Sequence, residues 1–298
     1  MDRLQTIEVF VAVAETRSFA AAARHMGLSA PSVTRGVTTL EARLGVRLFT
    51  RTTRQVRLTD VGEAYLEEAR HVLSQLQAAD AMASGAAVRP SGLLRITCAN
   101  EFGRIYVTPL LTEFLDTHPE VSVDVLMVDR IVNLVEEGID IGVRIGPLPS
   151  SGLTAVRVGT VRRVICGTPG YFRANGHPGH PSDLKDHTLV AAAPVGPANE
   201  WRFGESGQTV VRVRPRLTVS SVAAAIAAAR SGWGLTRVLS YQIGPDLERG
   251  SLQTVLENHE PNPLPIHLVH VEGRRAQAKV RSFIDFARDR LRAVPVLN

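Results

Sequence analysis

Hydrophobic residues recur three or four positions apart at the start of the chain, in "DRLQTIEVFVAVAETR", and this spacing predicts an amphipathic helix. A second helix is predicted over "FAAAARHM", because Ser18 is a favourable N-cap and Gly27 suits a left-handed stop. A third helix begins at once, with Ser29 as its N-cap, Pro31 in its first turn and Gly45 as its stop. Two short helices joined by a tight turn containing glycine predict a helix-turn-helix.

The third predicted helix has two different faces. At about 100° per residue, one apolar stripe must pack inward; it contains Val33, Val37, Leu40 and Leu44. The opposite face is small and polar around one arginine; it carries Pro31, Arg35, Thr38 and Ala42, with Thr34 beside them and Ala30 nearer the edge. Such a face can enter the major groove of DNA, where a guanidinium binds guanine and threonine offers a hydroxyl or a methyl group. Gly36 costs about 1 kcal/mol of helix stability relative to alanine, and close approach to a phosphate is one explanation for it.

A hairpin and a long helix are predicted next. In "VRLFTRTTRQVRLT" the β-forming residues surround Arg51, Arg54 and Arg57, which predicts a wing that neutralises phosphates. Thr59 then caps a helix expected from Asp60 to about Ala87. A nearly heptad seam would pair this helix with that of a second copy; it consists of Leu66, Ala69, Leu73, Leu76 and Ala83. The following "ASGAAVRPSG" has the composition of a linker.

The basic character of the chain is local. The net charge is +5, and residues 24–57 hold seven arginines against one acid, Glu41. A solvated face and a nucleic-acid surface explain such a cluster equally well on charge alone. The predicted helix-turn-helix favours the nucleic-acid surface.

The run from residue 19 to residue 62 resembles the winged helix-turn-helix of LysR-type transcriptional regulators, through "AAA", "LS-x-P-x-V-[ST]-R", "LE-x-x-LG-x-x-LF-x-R" and "LT-x-x-G". The resemblance implies base and backbone contacts by Thr34 and Arg35, and sugar-phosphate contacts by Arg51 and Arg54. Ala30 stands where a glutamine is common, so contact with a thymine methyl is the interpretation there. The predicted DNA-binding residues are Ser29, Ala30, Pro31, Ser32, Thr34, Arg35, Thr38, Arg51 and Arg54.

From Gly92 onward, strand-like and helical stretches alternate. "LLRITCA", "VSVDVLMV" and "IDIGVRI" predict strands, and "GRIYVTPLLTEFLDTH" and "RIVNLVEEG" predict helices, which favours a parallel sheet of βαβ units. A second α/β set contains the helix "SVAAAIAAARSG" and the strand "GLTRVLSY", and "PIHLVHV" with the last helix returns to the first set.

This layout is similar to the effector-binding domain of the same family, which is built like a periplasmic solute-binding protein. The predicted fold class is therefore a two-lobed α/β effector domain with parallel-sheet subdomains, preceded by an all-α-type winged helix-turn-helix domain and a long linker helix. The expected domains are 1–59 for DNA binding, 60–91 for the linker and dimerisation helix with its hinge, and 92–298 for effector binding. Lobe I covers about 92–161 and 267–298, and lobe II about 162–266.

Helix N-termini supply the first candidates for effector binding. Asn100 is expected to cap the helix after the first strand and leave the amides of Phe102 and Gly103 free, and Ser220 or Ser221 to cap the alanine-rich helix. Two such termini facing one cleft would bind a carboxylate or another anion. Glu101 opposes this, since it complements the helix dipole itself and would repel an anionic effector.

Two arginines complete the predicted effector site, and each has a structural alternative. Arg144 lies between glycines near the end of a predicted parallel strand, which suits ligand contact; an ion pair holding a lobe edge explains it equally well. Arg237 matches a family position close to the cleft and fits a structural role equally.

Three other signals are weaker. His177 and His180 in "GHPGH" lie in a loop with no third ligand nearby, which disfavours a metal site. Cys98 is either an oxidant sensor, as in some members of the family, or a small apolar strand residue, and the second interpretation is favoured. Neither a nucleophile elbow, a zinc-protease motif nor a phosphate loop occurs, so no enzyme activity and no cofactor are expected.

The sequence thus predicts a ligand-responsive regulator that acts as a homodimer or homotetramer on dyad-symmetric promoter DNA. A small-molecule effector, such as an organic anion, and RNA polymerase are the other expected partners. A solute-binding protein or a small-molecule enzyme using the same cleft are the alternatives. The chain shows no basic leader, no run of about 20 apolar residues and only two cysteines, which predicts a cytoplasmic protein without a membrane partner.

Overall fold

The structure is a computed structural model that describes residues 1–51, 56–84, 89–150, 152–192, 199–271 and 276–297. The chain divides into two compact units, Met1–Val88 and Arg89–Asn298. Within these ranges, the side chains of Arg51 and of part of the long helix are outside the description. No helix of the described residues is long and apolar enough to cross a bilayer, and the cytoplasmic location stays a prediction.

The first unit has the predicted order of elements. They are α1 (Arg3–Thr16), α2 (Phe19–Met26), α3 (Ala30–Leu44), β1 (Phe49–Arg51), β2 (Val56–Leu58) and α4 (Asp60–Ser84). The predicted caps are confirmed: Ser18 and Ser29 accept bonds from the amides of Ala21 and Ser32, and Gly27 and Gly45 take φ values of 64° and 71°. The strands β1 and β2 pair antiparallel as the expected wing.

The inward stripe of α3 packs against α1. Val33, Val37 and Leu40 are buried in one cluster with Phe10, but Leu44, the last residue of the helix, is 37% exposed, so its predicted place in the stripe is wrong. Gly36 is also buried, and a Cβ there would lie 2.9 Å from Met1 Sδ and 3.2 Å from Val9 Cγ1. The contacts with Met1 and Val9 therefore account for a small residue here, and a phosphate is not needed.

The predicted pairing seam of α4 is wrong in its first half. Leu66 and Ala69 are buried in the core of their own unit, and Leu73 packs against that core. A different apolar stripe of α4 faces solvent, and it contains Val61, Val72 and Leu76. At 100° per residue these three lie within about 60° of one another. The side chain of Ala83 lies outside the described residues.

The second unit continues the numbering in chain order. Its strands are β3 (Gly92–Cys98), β4 (Val121–Met127), β5 (Ile141–Ile145), β6 (Thr154–Val161), β7 (Arg163–Gly167), β8 (Leu189–Ala192), β9 (Glu200–Phe203), β10 (Thr209–Arg212), β11 (Leu217–Val219), β12 (Leu235–Leu239), β13 (Gln253–Val255) and β14 (Leu264–His270). Its helices are α5 (Asn100–Phe102), α6 (Thr108–Thr117), α7 (Pro169–Asn175), α8 (Val222–Arg230), α9 (Gly244–Glu248) and α10 (Ala278–Arg292), and a π-helical turn, Gly103–Val107, joins α5 to α6.

Two five-stranded sheets form the two lobes of this unit. The sheet of lobe I has the order β4-β3-β5-β14-β6, and that of lobe II the order β11-β8-β12-β7-β13. The predicted parallel pairs are present in β4-β3-β5 and in β11-β8-β12. In lobe I, β14 pairs antiparallel with β5 and β6, and in lobe II, β7 pairs antiparallel with β12 and β13. The sheets are therefore mixed, as expected when a chain leaves one sheet and returns to it.

The chain passes between the lobes twice. The first passage is at Arg162, between β6 and β7, close to the predicted boundary. The return is complete at Leu264, where β14 begins, so residue 267 lies inside a strand of lobe I rather than at the crossing.

The helix predicted over "RIVNLVEEG" is wrong. Residues 134–138 form turns instead. The side chain of Asn133 accepts a bond from the amide of Val135, and its carbonyl accepts one from the amide of Glu137. Gly138 then takes a φ of 62°. Local side-chain bonds to the backbone and a left-handed glycine compete with helix formation.

Candidate functional sites

The outward face of α3 is accessible in the first unit. Its exposed residues are Ser29, Ala30, Pro31, Arg35 and Thr38, and its half-buried ones are Ser32 and Thr34. All seven were predicted to contact DNA. The inward stripe holds the helix against α1, so this face is presented as a ridge without large apolar side chains.

The two threonines of this face bond back to their own helix. Thr34 Oγ1 donates to the carbonyl of Ala30 at 3.0 Å, and Thr38 Oγ1 donates to that of Thr34 at 2.9 Å. Each hydroxyl proton is thus directed at the helix, and each side chain presents an oxygen acceptor and a methyl group. Such groups suit the amino groups of cytosine and adenine and the methyl group of thymine.

Arg35 is held from one side only. Its Nη2 donates to Ser32 Oγ at 3.3 Å, and the hydroxyls of Ser32 and Ser29 lie 2.8 Å apart. It forms no ion pair with the residues that the structure describes. The N-cap serines therefore orient a guanidinium whose remaining N–H donors are open, and such a fork matches guanine O6 and N7.

Further arginines of the first unit are accessible. Arg24, Arg43, Arg47 and Arg57 are exposed. The single acid of the cluster, Glu41, accepts bonds at Oε1 from the amides of Leu48 at 2.8 Å and Phe49 at 3.1 Å. This carboxylate fixes the start of the wing. Arg54 and the side chain of Arg51 lie outside the described residues, so their predicted phosphate contacts stay predictions.

A cavity of about 830 Å³ opens in the second unit, with lining residues from both lobes. Arg144 and Leu134 line it from lobe I, and Arg163, Trp201 and Arg237 line it from lobe II. Its size is in the range of pockets that bind small organic molecules. Of the residues predicted for the effector site, Arg144 and Arg237 reach this cavity.

Arg237 is the most deeply desolvated cation of the cavity. Its guanidinium carbon lies 5.0 Å from the centre of the Trp201 ring, and Nη2 lies 3.5 Å from the carbonyl of Glu200. Its Nη1 is buried without a hydrogen-bond partner in the described structure. Burial, and then repulsion from Arg163, lowers the pKa of Arg237 to about 9. Burial also lowers the pKa of Arg163.

Arg144 is half-buried and donates through Nη2 to the carbonyl of Val132. Burial lowers the pKa of this guanidinium, and the charge of Glu137 acts in the opposite direction. The structure shows no lobe-edge ion pair for Arg144 among the residues it describes. The contact of Arg144 with an effector stays a prediction.

The predicted cap of the helix after β3 is wrong. Asn100 lies inside the first turn, Ala99 occupies the N-cap, and the carboxylate of Asp129 accepts bonds from Asn100 N at 3.0 Å and from Asn100 Nδ2 at 2.9 Å. A protein carboxylate from the segment after β4 thus takes the place that was expected for an anionic ligand.

The other residues predicted beside Asn100 are also engaged. Phe102 is fully buried against Tyr241, the amide of Gly103 bonds to Ala99, and Glu101 pairs with Arg104 at 2.8 Å. None of the residues 100–103 lines the cavity.

At the second predicted helix terminus, Ser221 is the N-cap and accepts a bond from the amide of Ala224 at 3.4 Å. Ser220 precedes the cap. The cavity is reached by Val222 and not by either serine, so the structure does not bring the two predicted N-termini together around one ligand position.

Cys98 lines the cavity but is buried, and burial raises the pKa of its thiol to about 12. This agrees with a small apolar strand residue. His177 stacks on Phe172 with ring centres 4.6 Å apart, and His180 Nδ1 lies 2.8 Å from Ser182 Oγ. No group of three metal-ligating side chains occurs among the described residues.

Sequence reasoning missed Arg163, Trp201, Arg130 and Asp129, which also line the cavity. Arg163 begins β7, directly after the chain passes from lobe I to lobe II. A charged residue at the start of a strand beside this passage could have identified it as a candidate for the cavity. The tryptophan in "EWRF" lies on a strand paired with β10, and nothing in the local sequence shows that it reaches the cavity.

Comparison with known proteins agrees with both units. The model of the bacterial regulatory helix-turn-helix protein of the lysR family matches residues 4–63, and that of the LysR substrate binding domain matches residues 87–292. The transcriptional regulator YhjC of Escherichia coli is 32% identical over 289 residues, with 96% of this chain and 97% of that protein covered. The regulator PgrR of the same organism is 32% identical over 288 residues, with 95% and 96% covered.

Solved full-length structures show the same fold. CrgA of Neisseria meningitidis, a LysR-type transcriptional regulator, aligns with a TM-score of 0.62 at 27% identity, and the match covers 98% of this chain and 99% of that one. The virulence activator AphB of Vibrio cholerae aligns with a TM-score of 0.60 at 25% identity, over 96% and 98%. The chain belongs to the LysR family of transcriptional regulators, with an N-terminal DNA-binding helix-turn-helix domain and a C-terminal effector-binding domain.

Proposed function

We propose that this regulator reads a dyad-symmetric promoter site through the Thr34/Arg35 face of α3 and responds to a small organic anion bound in the cavity between its lobes. The observation that carries the DNA part is the exposed ridge of α3. There, a guanidinium oriented by Ser32 stands between two threonines that present acceptors and methyl groups.

The anionic nature of the ligand rests on the cavity. Arg144 and Arg237 both reach it, both are desolvated, and neither forms an ion pair with a described residue. Buried charges without partners are unfavourable, and an anionic ligand would relieve this. The thiol of Cys98 lines the cavity, but burial raises its pKa to about 12, which disfavours the nucleophilic thiolate, and we propose binding without turnover.

We also propose that the regulator binds DNA together with a second copy of the same chain. A dyad-symmetric site needs two recognition helices, and the solvent-facing stripe of α4 gives a homodimer a surface through which to form. A homotetramer would combine two such pairs. RNA polymerase is proposed as the further partner through which DNA binding affects transcription.

The test of the DNA part starts with selection of bound duplexes from a random library by the full-length protein. We expect a sequence with two related half-sites, and we expect Arg35→Ala to reduce affinity for it by about tenfold or more. A good bidentate contact contributes about 1–3 kcal/mol of discrimination. Arg43→Ala, an exposed arginine of the same helix outside the predicted contact set, is the control.

Undiminished sequence-specific affinity of Arg35→Ala, with its dimer and thermal unfolding unchanged, would contradict the assigned role of α3. Turnover of a bound ligand would favour the enzyme alternative instead.

A further inference from the structure

The cavity carries cationic groups from both lobes. Arg144 belongs to β5 of lobe I, whereas Arg163 and Arg237 belong to β7 and β12 of lobe II. None of the three forms an ion pair with a residue that the structure describes. Arg237 Nη1 is buried and has no hydrogen-bond partner there.

These groups form two separate poles. In the antiparallel pair of β7 and β12, Arg163 is opposite Leu239 and Arg237 is opposite Ile165, so the two arginines are diagonal neighbours on one face. Repulsion from Arg163 contributes to the lowered pKa of Arg237, whereas the charge that acts on Arg144 is that of Glu137. We call Arg163 and Arg237 the lobe II pole, and Arg144 the lobe I pole.

The other two charged side chains of the lining have partners within the protein. Arg130 pairs with Glu137 at 2.6 Å. Asp129 accepts two bonds from Asn100. Asp129 keeps its negative charge, and burial together with this charge raises the pKa values of Cys98 and Tyr241. The positive groups of the lining without an ion-pair partner among the described residues are therefore those of the two poles, and these are the groups that an anionic ligand would bind.

Much of the remaining lining is apolar, and Thr97, Asn133 and Gln242 also reach the cavity. Val132, Leu134, Leu148, Val238 and Leu264 line the cavity, and the indole of Trp201 lies beside the lobe II pole. This combination suits a ligand with a hydrophobic body and two charged groups, since the apolar part of the lining offers no hydrogen bonds to polar groups along that body.

We propose, on the basis of the proposed function, that the effector is an organic dianion of the dicarboxylate class, with one carboxylate on the lobe II pole and the other on Arg144. A guanidinium binds a carboxylate through two parallel charge-assisted hydrogen bonds. A monoanion would satisfy one pole and leave the other uncompensated. A dianion satisfies both and links one lobe to the other.

The experiment measures binding to the full-length protein by titration calorimetry, with matched pairs of probes. The pairs are terephthalate with benzoate and adipate with hexanoate, which share a body and differ in the second carboxylate. We expect a dicarboxylate of at least one pair to bind about tenfold or more tightly than its monocarboxylate, a difference of about 1.4 kcal/mol. Arg144→Gln and Arg237→Gln should each reduce the affinity for the dicarboxylate to that of the monocarboxylate. Arg281→Gln, an exposed arginine of α10, should leave it unchanged.

A second measurement separates ligand binding from a structural role of Arg237. Without ligand, Arg237→Gln removes a desolvated charge without an ion partner, so its Tm should equal or exceed that of the wild type. A clearly lower Tm would mean that the guanidinium stabilises lobe II through Trp201, and this would overturn the assignment of the lobe II pole.

Equal affinities within both pairs, or a dicarboxylate affinity unaffected by Arg144→Gln, would overturn the proposal. Absence of binding by all four probes would also overturn it. Each of these outcomes leaves DNA recognition by α3 intact, because the duplex selection and the Arg35→Ala comparison are read without ligand.

Discussion

Gly62 and Gly36 are both helical glycines with tight surroundings, but their neighbours differ in kind. A Cβ on Gly62, in the first turn of α4, would lie 2.1 Å from the carbonyl oxygen of Leu48, which is backbone. A Cβ on Gly36 would meet mainly the end of the flexible Met1 side chain. The glycine of "LT-x-x-G" is therefore required by the contact between α4 and the wing.

We expect Gly62→Ala to destabilise the protein by about 1–3 kcal/mol, because the added methyl group overpacks this contact. This loss should outweigh the helix propensity of alanine, which is about 1 kcal/mol more favourable than that of glycine. Gly36→Ala should cost clearly less, because Met1 can move. Denaturant unfolding of the two variants measures the difference. Equal stability of Gly62→Ala and the wild type would contradict the close contact with Leu48.

The two cysteines are expected to be inert in the native protein. Cys98 and Cys166 are both buried, and burial raises the pKa of each thiol to about 12. At pH 8 the thiolate fraction would be roughly one in ten thousand. A chromogenic disulfide reagent should therefore label both only after unfolding in guanidinium. Rapid labelling of the native protein would contradict this and would revive the oxidant-sensor interpretation of Cys98.

Among the elements, the long helix α4 has two apolar faces in different surroundings. One face, with Leu66 and Ala69, is buried in its own unit, while the stripe of Val61, Val72 and Leu76 faces solvent. Pairing of two such stripes would remove exposed apolar surface from water, which favours association.

We expect Val72→Glu to raise the dissociation constant of the dimer about tenfold or more, because a carboxylate would be desolvated in the contact. Val210→Glu on β10 is the matched control, since Val72 and Val210 are 47% and 43% exposed. Sedimentation equilibrium of both variants tests this. A dimer weakened equally by Val210→Glu, or unaffected by Val72→Glu, would show that α4 does not form the interface.

Elements determined by nearby residues could be predicted from the sequence. The helices α2 and α3 follow from Ser18, Gly27, Ser29 and Gly45, whose bonds and backbone angles are local. The failed helix at residues 134–138 shows the limit of periodicity, because Asn133 and Gly138 redirect the chain there.

The cavity was only partly predictable, because its lining comes from strands far apart in the chain. Arg144 and Arg237 were identified as candidates from the sequence. Arg163 was not, because it comes close to Arg237 only through the antiparallel pairing of β7 and β12, which depends on the sheet order. The expected anion position at Asn100 failed for the same reason, since Asp129 approaches it from the end of β4.

In the whole molecule, binding of the effector in the cavity and binding of DNA by α3 are expected to be coupled. An effector changes DNA binding only if it binds one arrangement of the protein more tightly than another, and the coupling must be the same in both directions. We therefore measure two factors: the change in effector affinity caused by the selected duplex, and the change in duplex affinity caused by the effector. We expect the two factors to be equal. A factor of one would mean that the cavity ligand does not regulate DNA binding.

We propose that Arg35 on α3 binds a guanine, and a double-mutant cycle between protein and DNA is the decisive experiment. Wild type and Arg35→Ala are each titrated with the selected duplex and with one in which a half-site guanine is replaced by 7-deazaguanine, which lacks the N7 acceptor. At one guanine of each half-site, we expect the base change to weaken DNA binding by the wild type about tenfold and to leave binding by Arg35→Ala nearly unaffected. Additive losses at every guanine tested would contradict it.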